Sequence, residues 1–287
     1  MAIKRGYAGP PGAQLHYAES GSGPALLLLH SAPRSLRSFR KMLPLLAEHY
    51  RAIAVDLPGF GQSDPLSGPV TMEAIAQSMG QLLDALDIDR VHLFGYHTGN
   101  KVAAALAADD ASRIDRLILC GQIHSIIPEK AKRDEAIRQI VQKYFERFPD
   151  SSDGDGLLRR WQADWSDLTG FAQPRQLFSQ RSIRFEDIEA LRVRVTDHLQ
   201  ALDHIADTYQ ANFAFDFEAA LRRIAVPTLV VELVMPDEEH YGRQLTKVCA
   251  LLANGQGSTI MNAGKVALES HAAELTDQIL RFCGTSP

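Results

Sequence analysis

Two kinds of apolar pattern take turns along this chain. Continuous apolar runs of strand length, bounded by turn residues, alternate with longer segments whose apolar positions recur at the helical period. The runs are "ALLLLH" (25–30), "RAIAVD" (51–56), "VHLFG" (91–95) and "RLILCG" (116–121). They lack polar alternation, which predicts strands covered on both faces, as in a parallel sheet. Between them, "SFRKMLPLLAEHY" (38–50), "TMEAIAQSMGQLLDALD" (71–87) and "NKVAAALAADD" (100–110) read as helices, the second with Thr71 placed to cap it. Upstream, residues 12–19 predict a strand paired with residues 3–8 across a Gly-Pro-Pro-Gly turn. Strand–helix alternation of this kind predicts the α/β class: a mostly parallel central sheet flanked by helices.

The alternation stops after the sixth strand. Residues 123–215 show no strong strand pattern. Ile137, Ile140, Val141, Tyr144, Phe145 and Phe148 mark one apolar helix face, and Ile188, Leu191, Val195, Leu199, Leu202, Ile205 and Tyr209 mark a second. The alternation resumes with a strand "VPTLVVEL" (226–233), a helix over 238–252, a strand "GSTIMN" (257–262) and a C-terminal helix over 269–283. The chain thus divides into a core, 1–122 and 216–287, and an all-helical insertion, 123–215, that interrupts one sheet.

Composition narrows the partners. The chain is 45% hydrophobic and 23% charged with a formal charge of −5, so no basic face is expected and nucleic acid is not an expected partner. "MAIKRGYAGPPG" lacks the apolar stretch of a secretory signal, and the longest apolar runs are too short to span a bilayer. Cys120, Cys249 and Cys283 are widely spaced, which fits buried thiols in a reducing cytoplasm better than a disulfide framework or zinc site. The expectation is a cytoplasmic protein with a small-molecule substrate or ligand and no membrane partner. A homodimer through an exposed helix is compatible with the sequence, which does not decide it.

The chemistry gathers at "VHLFGYHTGN" (91–100), where a strand meets an Ala-rich helix through Gly95-Tyr96-His97-Thr98-Gly99. This is the frame of the G-x-S-x-G strand–turn–helix motif, the nucleophile elbow, with His97 in place of Ser. Together with "LLLLHSAPRS" (26–35) and "DLPGFGQSD" (56–64), and with the order of elements, it resembles the α/β-hydrolase superfamily over essentially the whole chain. The resemblance implies that the insertion is a helical cap. It implies that His30 supports the oxyanion loop, and that the backbone N–H groups of Ala32 and Thr98 form the oxyanion hole. The family's base, in a segment like G-A-G-H, is replaced in "NAGK" by Lys265. The family's acid, in a segment like G-x-x-D, falls in "LVMPD", where the Gly is missing and Asp237 stands one position late. The Ser-His-Asp triad is therefore degenerate at all three positions.

Three readings stay open on these residues. In the first, His97 is a nucleophile or general base acting on a small ester, lactone or related carbonyl compound, with Lys265 and Asp237 beside it. A lyase or isomerase variant of it abstracts a proton without hydrolysis. In the second, the fold binds a ligand without turnover; in the third, it is a structural subunit. The helix N-terminus, burial and a nearby Lys265 ammonium would each disfavour the imidazolium, which predicts a mostly neutral His97 at pH 7. Arg34 in "HSAPRS" is placed to meet an acidic ligand, though a solvated Arg is the plainer role. His124 and Trp161 are candidate pocket residues, while His240 and His271 read as surface or packing histidines. No G-x-G-x-x-G follows the first buried strand, and His97 has no ligand-spaced neighbour, so no cofactor and no metal are expected.

Overall fold

The computed structural model describes residues 2–121, 131, 135, 138–139, 162, 185–234, 243–263 and 266–284. Eight strands form one sheet in the order β1-β2-β4-β3-β5-β6-β7-β8. They are β1 (Lys4–Ala8), β2 (Leu15–Ser20), β3 (Ala25–Leu29), β4 (Arg51–Val55), β5 (Val91–Tyr96), β6 (Ile114–Cys120), β7 (Thr228–Leu233) and β8 (Gly255–Ile260). The pair β1/β2 is antiparallel, with Ala8 opposite Leu15 across the Gly-Pro-Pro-Gly turn, and β2 runs antiparallel to β4. All pairings from β4 onward across the sheet are parallel. The sheet is thus mostly parallel and flanked by helices, as the alternation implied.

The continuous apolar runs are explained by helices on both faces. Leu27, Leu29, Ile53, Val55 and Leu93 pack on one face against α2 (Met72–Ala85) and α3 (Thr98–Asp109). Leu26, Leu28, Ala52, Ala54 and Phe94 pack on the other against α1 (Met42–Leu46) and the C-terminal helices. Full burial of each large apolar side chain contributes about 1.5–3 kcal/mol. The central strands therefore hold fixed the strand ends on which the candidate site stands. Thr71 caps α2, its hydroxyl accepting from the Ala74 N–H at 3.0 Å.

Three helix boundaries differ from the periodicity, the C-terminal helix expected over 269–283 among them, since it is split at His271 into Ala267–Ser270 and Ala272–Cys283. The segment 38–50 is not one helix: a 3₁₀ turn at Leu36–Phe39 precedes α1. Pro44 gives the reason, because it lacks an N–H and is tolerated only in a helix's first turn. The apolar face from Ile188 to Tyr209 belongs to two helices, α4 (Phe185–Gln200) and α5 (Leu202–Ala214), which break at Ala201. No glycine or proline announces that break. The face from Ile137 to Phe148 lies outside the described residues. After α5 come α6 (Phe217–Arg223), α7 (Leu245–Leu251), α8 (Ala267–Ser270) and α9 (Ala272–Cys283).

Candidate active site

The elbow is built from backbone outward. β5 is buried along its length between β3 and β6 and delivers the chain to His97, after which α3 begins. His97 sits at φ 50°, ψ −106°, a left-handed φ that a residue with a Cβ rarely takes. Such a conformation costs about 1–3 kcal/mol and persists only where its surroundings impose it. They do so here. The His97 N–H donates to the Cys120 carbonyl at 3.0 Å, and the His97 carbonyl accepts from the Asn100 N–H at 3.0 Å. The Asn100 side chain then bonds both backbone groups of Cys120, each at 2.9 Å, locking the start of α3 to the end of β6. The flanking glycines are obligatory by contact. A Cβ on Gly95 would lie 2.4 Å from the Gly99 carbonyl oxygen, and one on Gly99 would lie 2.4 Å from that of Leu29.

The imidazole is partly exposed. It meets the Tyr96 ring edge-on, with centroids 4.1 Å apart, and lies over the backbone of Gly121. A Cβ at Gly121 would stand 2.9 Å from the His97 Cε1, so glycine after β6 is what gives the larger ring its place. The ring is neither sealed in the interior nor lost to the surface.

The loop after β3 borders the elbow. His30 is fully buried; its Nδ1 donates to the Ser31 carbonyl and its Nε2 accepts from the Leu57 N–H, both at 2.9 Å. Accepting at Nε2 requires the neutral ring, and burial accordingly holds the His30 pKa below the usual value. The Asp56 carboxylate takes the N–H groups of Leu36 and Gln62 and the His16 Nδ1, fixing the turn of "DLPGFGQSD" under this loop. Gly61 is required there, since a Cβ would overlap that carboxylate. Among the described residues, the N–H groups of Ala32 and Thr98 donate to no hydrogen-bond partner.

Helix α4 is fastened to the same loop through a residue the sequence did not single out. Asp197 is buried and accepts from Ser35 Oγ at 2.7 Å, Arg34 Nε at 3.3 Å and Arg37 Nη2 at 2.5 Å. Arg34 is therefore committed to Asp197. Arg194 and His198 share this side of α4, three residues before Asp197 and one after it. A polar trio at 194, 197 and 198 inside "LRVRVTDHLQ" was the available signal. What the trio faces depends on a loop far away in sequence.

Lys265, Asp237, His124 and Trp161 lie outside the described residues, as does His240. The stems of two of their segments are adjacent. The Val234 N–H donates to Ile260, and the Ala263 N–H donates to Val234. Two residues before Val234, the buried Glu232 carboxylate accepts from the N–H groups of Gln244 and Leu245 and pairs with Arg243. His271 stands just before α9, at its N-cap position, and its Nδ1 lies 2.9 Å from the Ser270 hydroxyl. Among the described residues no group of three His, Cys, Asp or Glu side chains converges as a metal site. Among the same residues no helix is long and apolar enough to cross a membrane.

His198 makes the fold acid-sensitive. Burial first, and then Arg34 and Arg194, push its pKa down to about 4, against a smaller opposing effect of Asp197. Below pH 6.5 the unfolded chain binds a proton that the folded chain refuses until about pH 4. Stability therefore falls as pH drops through that window and then levels, by on the order of 3 kcal/mol. Burial lowers His30 and His92 in the same direction. Urea unfolding followed from pH 7 to pH 4 is expected to lose this stability, and His198→Gln is expected to lose less of it.

Comparison with known proteins places these features. A family model described as alpha/beta hydrolase fold matches residues 24–269. A soluble epoxide hydrolase of Corynebacterium sp. (strain C12) is 35% identical over 117 residues, spanning 40% of this chain and 41% of that protein. A fluoroacetate dehalogenase of Burkholderia sp. is 29% identical over 234 residues, covering 73% of this chain and 71% of that one. Among solved structures, the enol-lactonase of Burkholderia xenovorans LB400 superposes with a TM-score of 0.64 at 22% identity, covering 97% of this chain and 99% of that one.

Proposed function

Because this chain belongs to the α/β-hydrolase fold family, we propose that it is a hydrolase acting on a small ester, lactone or related carbonyl substrate through His97. The observation that carries the reading is the strained backbone of His97, kept at φ 50° beneath a partly exposed ring. Strain of this kind is retained where a side chain must be presented, and a scaffold without chemistry gains nothing from it. Relatives bearing the names epoxide hydrolase, fluoroacetate dehalogenase and enol-lactonase support hydrolysis as the reaction class, and their diversity leaves the bond open.

In this reading the substrate carbonyl oxygen points at the Ala32 and Thr98 N–H groups, which stabilise the oxyanion as charge develops. A His97 ring nitrogen attacks the carbonyl carbon and the alcohol leaves. Water then cleaves the acyl-imidazole, releasing the acid and restoring the ring. Alternatively the ring takes a proton from the attacking water as general base. Lys265 and Asp237 are assigned to the rim of the same site, where Lys265 holds a negative group and pairs with Asp237. Residues 123–215 are assigned as the cap over a core of 1–122 and 216–287.

A panel of p-nitrophenyl esters and lactones tests the reading. Turnover by the purified chain is expected, and intact-mass analysis of the quenched enzyme is expected to find an acyl adduct on His97 if the ring is the nucleophile. A ligand that raises the melting temperature yet is never consumed, with no turnover across the panel, would instead mark a binding protein on this fold. Proton exchange alpha to a carbonyl without hydrolysis would mark the lyase or isomerase variant.

A further inference from the structure

A cavity of about 190 Å³ lies where β1 and β2 meet the 3₁₀ turn at Leu36–Phe39 and α1. Among the described residues, none from Tyr96 to Asn100 lines it, so it stands apart from the elbow. Its walls carry three arginines: Arg5 on β1, Arg37 in the 3₁₀ turn and Arg40 just after that turn. Asp56 is the one acid among the described wall residues, and its carboxylate is already taken by two backbone N–H groups and His16. Arg37 pairs with Asp197 and Arg40 with Glu269 of α8 at 2.7 Å, but neither acid lines the cavity. Arg37 has only a share of its acid, because Arg34 uses the same carboxylate. The Arg40 Nε is shut off from solvent and has no hydrogen-bond partner among the described residues. Arg5 is exposed, and its guanidinium makes no ion pair among the described residues. Strand alternation puts the neighbouring acid of β2, Glu19, on the opposite face, where Lys4 and Arg51 hold it. Glu189 of α4, which Arg37 and Arg40 also influence, is paired with Arg192. Positive charge is thus in excess around one recess, and an anion there relieves it.

We propose that this cavity is a second ligand site, separate from the elbow, for a small organic anion: an oxyanion carried on an apolar body. The planar forks of Arg5, Arg37 and Arg40 suit a phosphate or a carboxylate bidentately. The phosphate is the tighter of the two, because it carries more charge and more acceptor oxygens to three guanidiniums. The apolar body is called for by the rest of the wall. Leu36 and Leu43 are buried in it, and Ile3, on the same face of β1 as Arg5, is left 39% exposed. A body seated against Ile3 takes from water apolar surface that folding alone leaves there. Arg37 joins the site to α4, since it lines the cavity while holding Asp197, and Gln200 of α4 is a further wall residue. None of this depends on the hydrolase reading.

Calorimetry on the full chain with phenyl phosphate, benzoate, inorganic phosphate and the neutral control benzamide tests the assignment. Phenyl phosphate is expected to bind most tightly, benzoate and inorganic phosphate more weakly, and benzamide least. Arg5→Met is expected to weaken phenyl phosphate about 10-fold or more, and Arg5→Glu further still. Both variants are expected to keep the parent's melting temperature, because the Arg5 side chain is exposed and leaves no described carboxylate stranded. His97→Ala is expected to bind phenyl phosphate as the parent does. A measurement on the unmutated chain completes the set: phenyl phosphate, and not benzamide, is expected to slow labelling of Arg5 by phenylglyoxal, read by peptide mass mapping. No binding of phenyl phosphate, equal binding by Arg5→Met, or unslowed labelling of Arg5 overturns the assignment. Loss of binding in His97→Ala also overturns it, by seating the anion at the elbow. So does inorganic phosphate binding as tightly as phenyl phosphate, which would leave the apolar wall without a role.

Discussion

His97→Ala is expected to lower kcat/KM by about 10³-fold or more on whichever carbonyl compound the panel selects. That factor corresponds to about 4 kcal/mol of transition-state stabilisation. It exceeds what a misplaced neighbour would cost, because the substitution removes the only side chain at the tip of the elbow and leaves the turn itself in place. The fold should survive: the bonds from His97 N–H to Cys120 and from Asn100 N–H to the His97 carbonyl are all backbone at residue 97. His97→Gly extends the test. Glycine takes φ 50° without penalty, so this variant is expected to be at least as stable as the parent while equally inactive. Stability retained or raised as activity is lost is the mark of strain kept for chemistry. His97→Ser is expected to stay inactive as an esterase, because the acyl-transfer mechanism also needs a base and "NAGK" carries Lys265 there. Activity of His97→Ala within about 10-fold of the parent would remove the ring from the mechanism.

The sheet was legible because its signal is one of composition over short windows. A run such as "ALLLLH" has no exposed face in any register, so burial on both sides could be read from the residues themselves, and β3 is indeed buried against helices on both faces. The elbow was legible for a different reason. Gly95 and Gly99 are demanded by backbone contacts of 2.4 Å, and contacts that close leave a mark at fixed spacing whatever residue sits between them. Other features had no such mark. Gly121 makes room for the His97 ring across the end of β6, a relation between residues far apart in the chain that no local period records. Asn100 reads as an ordinary early helix residue, and only the fold reveals that its amide spans to Cys120. Asp197 sits in a polar trio with Arg194 and His198, but its partner lies over 150 positions upstream in the loop after β3, where no local pattern points. The break at Ala201 carries no glycine or proline and was invisible to periodicity for that reason.

Asp197→Ala is expected to destabilise the protein by about 3–5 kcal/mol, read as a lower urea midpoint at pH 7. The carboxylate is wholly buried, is the only carboxylate paired with Arg34 and Arg37 among the described residues, and accepts from the Ser35 hydroxyl. Removing it leaves the Arg34 and Arg37 guanidiniums without a paired carboxylate among the described residues. The cost is thus repulsion and desolvation, more than the loss of attraction. That distinction can be measured. If stranded charge dominates, adding Arg37→Met to Asp197→Ala should recover part of the loss, because one of the uncompensated cations is gone; Arg37→Met alone should cost little, since Arg34 still satisfies the carboxylate. Were attraction the main effect, the double variant would be no better than Asp197→Ala. Asp197→Asn separates the remaining part: it keeps an acceptor for Ser35 and should fall between the parent and Asp197→Ala. A loss confined to below about 1 kcal/mol for Asp197→Ala would mean the pair behaves as a surface ion pair, and that α4 is held to the loop by its apolar residues Val193 and Val195 instead.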